Sequence, residues 1–454
     1  MAVVLDPSTL SYSEFVKRFM LSGRPVLIKG LCADWGANQQ WTTDGLPDFA
    51  KLKRLPDVRV PVVHSSGGDY QCSEMNLHEF LCYWERRRDA AASSDEPEIY
   101  LKDWHYVEEI LGGEGERRAS LYPVPVYFED DWFNKYGLKG DSDIDDFRFV
   151  YWGPRGTCTP VHMDVLGSFS WSANICGRKR WRFFRPEHSH LLRDRSGLQT
   201  VTHLDCYDTS AFPHVRTAPV VDVVQEAGDC VFVPSGWHHQ VDNLDDCMSI
   251  NHNWADAANI REVLRVLLAD LRRVEGLLAS DRGLFDTDVE YTLACQRIVH
   301  ANNGVDLYGF VAFLLRCVSG EMEAHRALGN GDDASVSKVE RAMKLLSLYR
   351  LGHLLATLAS GGYGPTRPSG GDAAARKEES CCADVLSAVR LIADELTSAS
   401  GAELQDEVCA MARASKGEAV SLGKNDNDDV APPAVRGIEE IWGAVRARGW
   451  TSDD

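Results

Sequence analysis

The chain has 454 residues, 44% hydrophobic and 26% charged, with a formal net charge of −20; that is enough for several domains of about 100–200 residues and a sizeable core. The acidic balance repels nucleic acid and anionic membranes at long range, so neither is expected as a direct partner. The 13 cysteines include no C-x-x-C pair, which argues against paired-thiolate zinc modules, and MAVVLDPSTLSYSEF lacks the basic, apolar pattern of a signal peptide, so a cytoplasmic or nuclear setting is expected.

In SYSEFVKRFMLSGRPVLIKGL, the spacing of Phe15, Phe19 and Leu21 predicts a short helix, broken at Gly23 and Pro25 before a strand at Val26 to Ile28. VRVPVV, Val58 to Val63, reads as a strand in which Pro61 suggests an edge position or an irregularity. MNLHEFLCY, Met75 to Tyr83, reads as a short helix, and Glu85 to Glu98 and Gly112 to Arg118 as loops.

From Leu121 to His252 short β-branched and aromatic runs alternate with Gly, Pro and Asp. Eight strands are expected: Phe147 to Trp152, Thr157 to Val165, Phe169 to Ile175, Arg178 to Phe184, Asp222 to Glu226, Cys230 to Val233, Gln240 to Asn243 and Met248 to Asn251, the count of a jelly roll. Arg178, Lys179, Arg180 and Arg182 form either a local basic patch or a solvated strand edge.

After Trp254 the pattern becomes helical. Ile260, Leu264, Leu267, Leu271, Val274 and Leu278 recur at spacings of three and four, and further helices are expected at Val289 to Val299, Leu307 to Val318 and Val336 to Leu358. The resulting α+β organisation has N-terminal elements at 1–135, a barrel at 136–258 and a helical region at 259–359. Beyond it come a linker at 360–380, helix at 381–414, a second linker at 415–434 and a terminal helix and tail at 435–454. Nothing in these patterns sets the oligomeric state.

The chemistry concentrates in two stretches. On a strand, residues two apart face the same way, so His162 and Asp164 project together with Met163 turned aside. A third ligand from His238 or His239 completes two imidazoles and one carboxylate, the facial set of non-heme Fe(II) oxygenases. Adjacent residues face opposite sides of a strand, so one of the two histidines reaches the metal, and spacing does not choose between them. Lys179 alternates with Trp181 and Phe183 on an apolar face, where an ammonium is costly unless it meets an anion.

Thr159-x-x-His162-x-Asp164, Gly177-Arg178-Lys179-Arg180-Trp181 and Val233-Pro234-Ser235-Gly236-Trp237-His238-His239 together resemble the JmjC oxygenases, with looser similarity at Tyr100-Leu-Lys-Asp-Trp104 and Asp130-Asp131-Trp132. The resemblance implies a double-stranded β-helix (jelly-roll, cupin-like) using Fe(II), 2-oxoglutarate and O2 to hydroxylate a protein side chain, with succinate and CO2 as co-products. Its nearest branch implies a lysine of the translation termination factor as substrate. It assigns the metal ligands to His162, Asp164 and His239, and the distal carboxylate of 2-oxoglutarate to Lys179 and Thr159. Asn174 and Asn251, with Ser172 and Asn253, are candidates for lining the cofactor or substrate pocket.

Three rival readings are a histone methyl-lysine demethylase, a barrel retained only as a binding module, and a zinc or manganese cupin isomerase.

Overall fold

The computed structural model describes residues 3–360 apart from 67–68, 90–97, 114, 139–145 and 328–337, together with Ile392. Its strands are β1 Val3–Leu5, β2 Val26–Ile28, β3 Thr42–Thr43, β4 Leu46–Pro47, β5 Arg59–Ser66, β6 Asp69–Asn76, β7 Glu98–Trp104, β8 Arg148–Gly153, β9 Cys158–His162, β10 Phe169–Cys176, β11 Lys179–Phe184, β12 Val221–Gln225, β13 Cys230–Val233, β14 His238–Asn243 and β15 Cys247–Trp254. The last eight correspond to the eight expected strands, in an α+β jelly roll. A nine-stranded sheet runs β1-β2-β13-β10-β15-β8-β7-β5-β6, and a four-stranded sheet runs β12-β11-β14-β9. The N-terminal strands thus extend the barrel's larger sheet.

The described residues fall into two compact units, one within 1–130 and 146–254, the other within 131–145 and 255–454. In the first, polarity along the central strands is inverted relative to an ordinary solvent-facing sheet. Along β10, Phe169, Trp171, Ala173 and Ile175 alternate with Ser170, Ser172 and Asn174, and every residue is buried. The apolar set packs against aromatics of the N-terminal region and of β13: Trp171 stacks on Phe128 at 5.5 Å, and Phe169 meets Phe232 at 5.1 Å. The polar set is left for the barrel interior, and buried polar groups must be paired or serve a ligand. Gln225 closes one end of this interior: its amide donates to Ser172 O at 2.7 Å and accepts from Trp181 Nε1 at 2.7 Å, tying one sheet to the other.

Several expectations need correcting. The strand expected at Thr157 to Val165 ends at His162; Asp164 instead opens a single turn at Val165–Gly167 in which Leu166 has φ 55°. Strand alternation is therefore not what brings His162 and Asp164 together. β9 also carries a bulge, since its partners on β14 step from His239↔His162 to Val241↔Thr159. The extra residue lets Thr159 and His162, three apart, face the same interior. Pro61 is not on an edge: β5 lies between β6 and β7, and its pairing with β7 begins only at Val62, so the missing N–H falls outside that ladder. Met75 and Asn76 belong to β6, and the helix that follows is longer than expected, Leu77–Asp89, taking in the first residues of the supposed Glu85 to Glu98 loop. The loop at Gly112 to Arg118 gives way to a helix at Glu116–Leu121. The arginines form no basic patch: Arg178 pairs with Asp245, Arg180 with Asp222, and Arg182 with Asp205 and Asp242.

The second unit contains the helices Ile260–Leu278, Asp288–Asn303, Leu307–Ala327 and Lys338–Ser360. Its interior carboxylate, Glu321, accepts from Tyr136 Oη at 2.6 Å and from Lys344 Nζ at 3.0 Å, which offsets the cost of burial. Among the described residues no single helix is long and apolar enough to cross a membrane. The linkers and helices expected beyond residue 360 lie outside the described residues.

One turn fixes the entry of β11. Gly177, between β10 and β11, has φ 72°, and a Cβ there would run into the Asp246 carbonyl oxygen. Gly177→Ala is expected to destabilise the protein by about 2–4 kcal/mol, from left-handed strain and overpacking against rigid backbone. Urea denaturation checks this; an unchanged midpoint would mean that the turn can relax freely.

Candidate active site

His162 ends β9 and His239 lies opposite it in register on β14, so two adjacent antiparallel strands bring their imidazoles to a ring-centroid separation of 4.2 Å. Asp164 arrives from the turn after β9. One ligand atom from each of the three lies within 4.8 Å of the others. The hydrogen bonds around them select the form a metal requires. His162 Nδ1 lies 2.8 Å from Pro160 O and His239 Nδ1 lies 3.2 Å from Trp237 O. A carbonyl accepts only, so each Nδ1 carries the proton and each Nε2 keeps its lone pair. Asp164 Oδ2 accepts from Ser170 Oγ at 2.8 Å, which holds the carboxylate in place. Trp181 and Phe183 pack against the His239 ring. Two neutral imidazoles and an oriented carboxylate fit a divalent transition metal and leave coordination positions for other ligands.

His238 faces the other way. Its Nδ1 lies 3.0 Å from Ser189 Oγ, and it does not line the cavity containing His239. A second group with donor atoms close together, Cys158, His203 and Asp242, is otherwise engaged: Asp242 holds Arg182 at 2.8 Å, and His203 Nδ1 accepts from the Asp205 N–H at 3.1 Å. His203 Nε2 in turn faces the side-chain amide nitrogen of Gln240 at 3.5 Å.

The cavity, with ≈ 400 Å³ of space including its mouth, is lined by the three ligand residues together with Tyr100, Tyr151, Thr159, Ser170, Lys179, Trp181, Val241, Asn251 and Asn253. Lys179 is 2% exposed; its Nζ donates to Ser249 Oγ at 3.0 Å and Tyr100 Oη at 3.4 Å. Among the described residues no carboxylate pairs with it, so a buried cation faces a cavity with its charge uncompensated, where an anionic ligand is required. The Thr159 side chain also lines this cavity. Asn251 Oδ1 accepts from Ser172 Oγ at 3.1 Å and Asn253 Nδ2 donates to Ser168 Oγ at 3.1 Å, leaving each amide one end without a side-chain partner among the described residues. Ser172 and Asn174 are the exceptions: neither lines the cavity, the Ser172 hydroxyl being engaged by Asn251, while Asn174 Nδ2 donates to Gly177 O at 2.7 Å, bracing the turn that delivers Lys179. Sequence reasoning missed Tyr151, Ser170 and Ser249 as site residues, although Ser170 shares the period-two polar face of β10 with Ser172.

Burial holds four imidazoles below their ordinary pKa. His162 is pulled down to about 4, by burial and then by the nearby His239; burial also takes His238 to about 4. His239 and His252 shift in the same direction, again chiefly through burial. Between the unfolded value near 6.5 and these lower values the unfolded chain binds more protons, so stability is fully present above pH ~6.5 and declines as pH falls toward 4. Each imidazole contributes a slope of at most ~1.4 kcal/mol per pH unit. The metal-free protein is therefore expected to show a lower urea midpoint at pH 5 than at pH 7; equal midpoints would show that these rings take up protons within the fold.

Comparison with known proteins gives the same direction. Residues 12–260 match the cupin-like domain family. The chain is 38% identical over 322 residues to 2-oxoglutarate and iron-dependent oxygenase JMJD4 of Homo sapiens, covering 69% of this chain and 75% of the human protein. It is 37% identical over 320 residues to the Mus musculus protein of that name, covering 68% and 73%. It is also 36% identical over 337 residues to arginine-specific demethylase JMJ20 of Arabidopsis thaliana, covering 70% of each.

Proposed function

We propose that this chain, which belongs to the cupin-like family of JmjC 2-oxoglutarate- and iron-dependent oxygenases, hydroxylates a lysine side chain of a protein, with the translation termination factor as its target. Fe(II), 2-oxoglutarate and O2 together supply oxidative decarboxylation to succinate and CO2 with insertion of one oxygen atom into a C–H bond. The chain's own residues supply position. His162, Asp164 and His239 would hold the iron, and the Lys179 ammonium with the Thr159 hydroxyl would hold the far carboxylate of 2-oxoglutarate. The observation carrying the oxygenase reading is the uncompensated, buried Lys179 in the same cavity as the three ligand side chains.

The lysine and the release factor rest on the JmjC resemblance and on similarity to the JMJD4 proteins. The test is mass spectrometry of the release factor after incubation with the enzyme, Fe(II), 2-oxoglutarate and O2. A lysine heavier by one oxygen, absent with Asp164→Ala, is the expected result; an unmodified factor would remove it as the target. A second reading, demethylation of arginine, is favoured by the similarity to JMJ20; it predicts formaldehyde release from a methylated peptide, whereas stable hydroxylation does not.

A further inference from the structure

The β7–β8 pairing contains an irregularity beside the cavity. Leu101 pairs with Trp152 and Trp104 with Val150, so two residues, Lys102 and Asp103, stand opposite one, Tyr151. Asp103 takes up the extra length with φ 62°, a left-handed conformation that Asp and Asn tolerate better than most residues. Along a regular strand Lys102 and Asp103 would point to opposite faces. Here Lys102 Nζ lies 3.2 Å from Asp103 Oδ2, and the hydroxyl of Tyr151, a cavity-lining residue, donates to Asp103 Oδ1 at 2.6 Å. The Asp103 side chain is 52% exposed, against 17% for Lys102. The hydrogen-bonded pair therefore runs from the cavity wall to solvent.

The chemistry of the pair is directional. Tyr151 spends its only proton on Asp103, so the phenol oxygen can only accept a further hydrogen bond. The carboxylate behind it is also acceptor-only and negative. Such a pair suits a group rich in N–H donors that carries positive charge, and Lys102 shows that an ammonium fits against Oδ2.

We propose that Asp103 and Tyr151 form the recognition lip for the cationic end of the substrate side chain, with the Lys102 ammonium occupying the place that the substrate's ammonium or guanidinium takes. Asp103 and Tyr151 are specificity-determining residues, and Lys102 competes with the substrate. This inference rests on the reading of the protein as a side-chain oxygenase and narrows its substrates to cationic residues.

The test uses full-length protein and three peptide pools with randomised flanks and a fixed central lysine, arginine or norleucine. The readout is the ratio of peptide-stimulated to basal succinate formation. The wild type is expected to respond to a cationic pool and not to the norleucine pool. Asp103→Asn keeps the tolerated backbone conformation and an acceptor for Tyr151 but removes the charge; it is expected to lower the ratio at least tenfold. Lys102→Gln removes the competitor and is expected to raise the response at low peptide concentration, an opposite sign that a merely structural role would not produce. An Asp103→Asn response equal to wild type, a loss with both variants, or a norleucine response matching lysine would each overturn the assignment. A wild type that answers only the arginine pool would sink the lysine reading and leave the lip standing; one that answers neither cationic pool would overturn both.

Discussion

His239→Ala is expected to abolish measurable Fe(II) binding, a loss of more than ~100-fold, while His238→Ala keeps affinity within about twofold of wild type. Removing a partner that merely orients a metal ligand typically costs 10–100-fold, so removing the ligand itself should cost more. The structure separates the two histidines although they are neighbours in sequence. His239 stands in register with His162, shares its cavity and presents an unprotonated Nε2 because Nδ1 is committed to Trp237 O. His238, one residue earlier, turns to Ser189. Anaerobic titration with Fe(II), or with Mn(II) as a redox-inert substitute, measures the difference. Metal retained by His239→Ala and lost by His238→Ala would move the third ligand by one residue.

What the sequence made legible follows from how local each signal is. The helix Ile260–Leu278 was readable because Ile260, Leu264, Leu267, Leu271 and Val274 are buried at the spacing their pattern announced. The eight barrel strands were readable because β-branched and aromatic runs are punctuated by Gly and Pro. β6, DYQCSEMN, was invisible for the opposite reason: it is an edge strand paired only with β5, and edge strands tolerate polar residues because one side meets solvent. His162, Asp164 and His239 do come together as a set, but not through the argument that singled them out. Alternation was invoked for His162 and Asp164, whereas a turn with a left-handed Leu166 and a hydrogen bond from Ser170 places the carboxylate. Alternation likewise suggested Asn174, two residues beyond Ser172 on the interior face of β10. The Gly177 carbonyl instead accepts from its amide at 2.7 Å. Tyr100 and Asp103 lay within a stretch already similar to the family, yet the place of Tyr100 in the cavity wall and of Asp103 behind Tyr151 depends on strand pairings and a bulge that no local pattern encodes.

Lys179→Ala is expected to raise the KM for 2-oxoglutarate by ~10²- to 10³-fold while changing metal affinity far less. The asymmetry follows from geometry and from the energetics of buried charge. Lys179 stands at the opposite end of β11 from Phe183, and it is Phe183 that pairs with His239; the ammonium touches only Ser249 and Tyr100 among the described residues. Truncating it removes no metal ligand and no group that orients one. The dicarboxylate would enter a cavity where its far end finds two hydroxyls, at Thr159 and Ser249, in place of a cation. Leaving one member of a buried ion pair without its partner costs about 3–5 kcal/mol, and each 1.4 kcal/mol is tenfold in affinity. Lys179→Arg tests whether charge alone suffices. A planar guanidinium is wider than an ammonium and presents a rigid fork, and in a cavity already bounded by Tyr100, Trp181 and Ser249 it is expected to recover only part of the loss. Measuring 2-oxoglutarate dependence of succinate formation alongside metal titration separates the two sites; parallel loss of both would show that Lys179 supports the barrel rather than the cosubstrate.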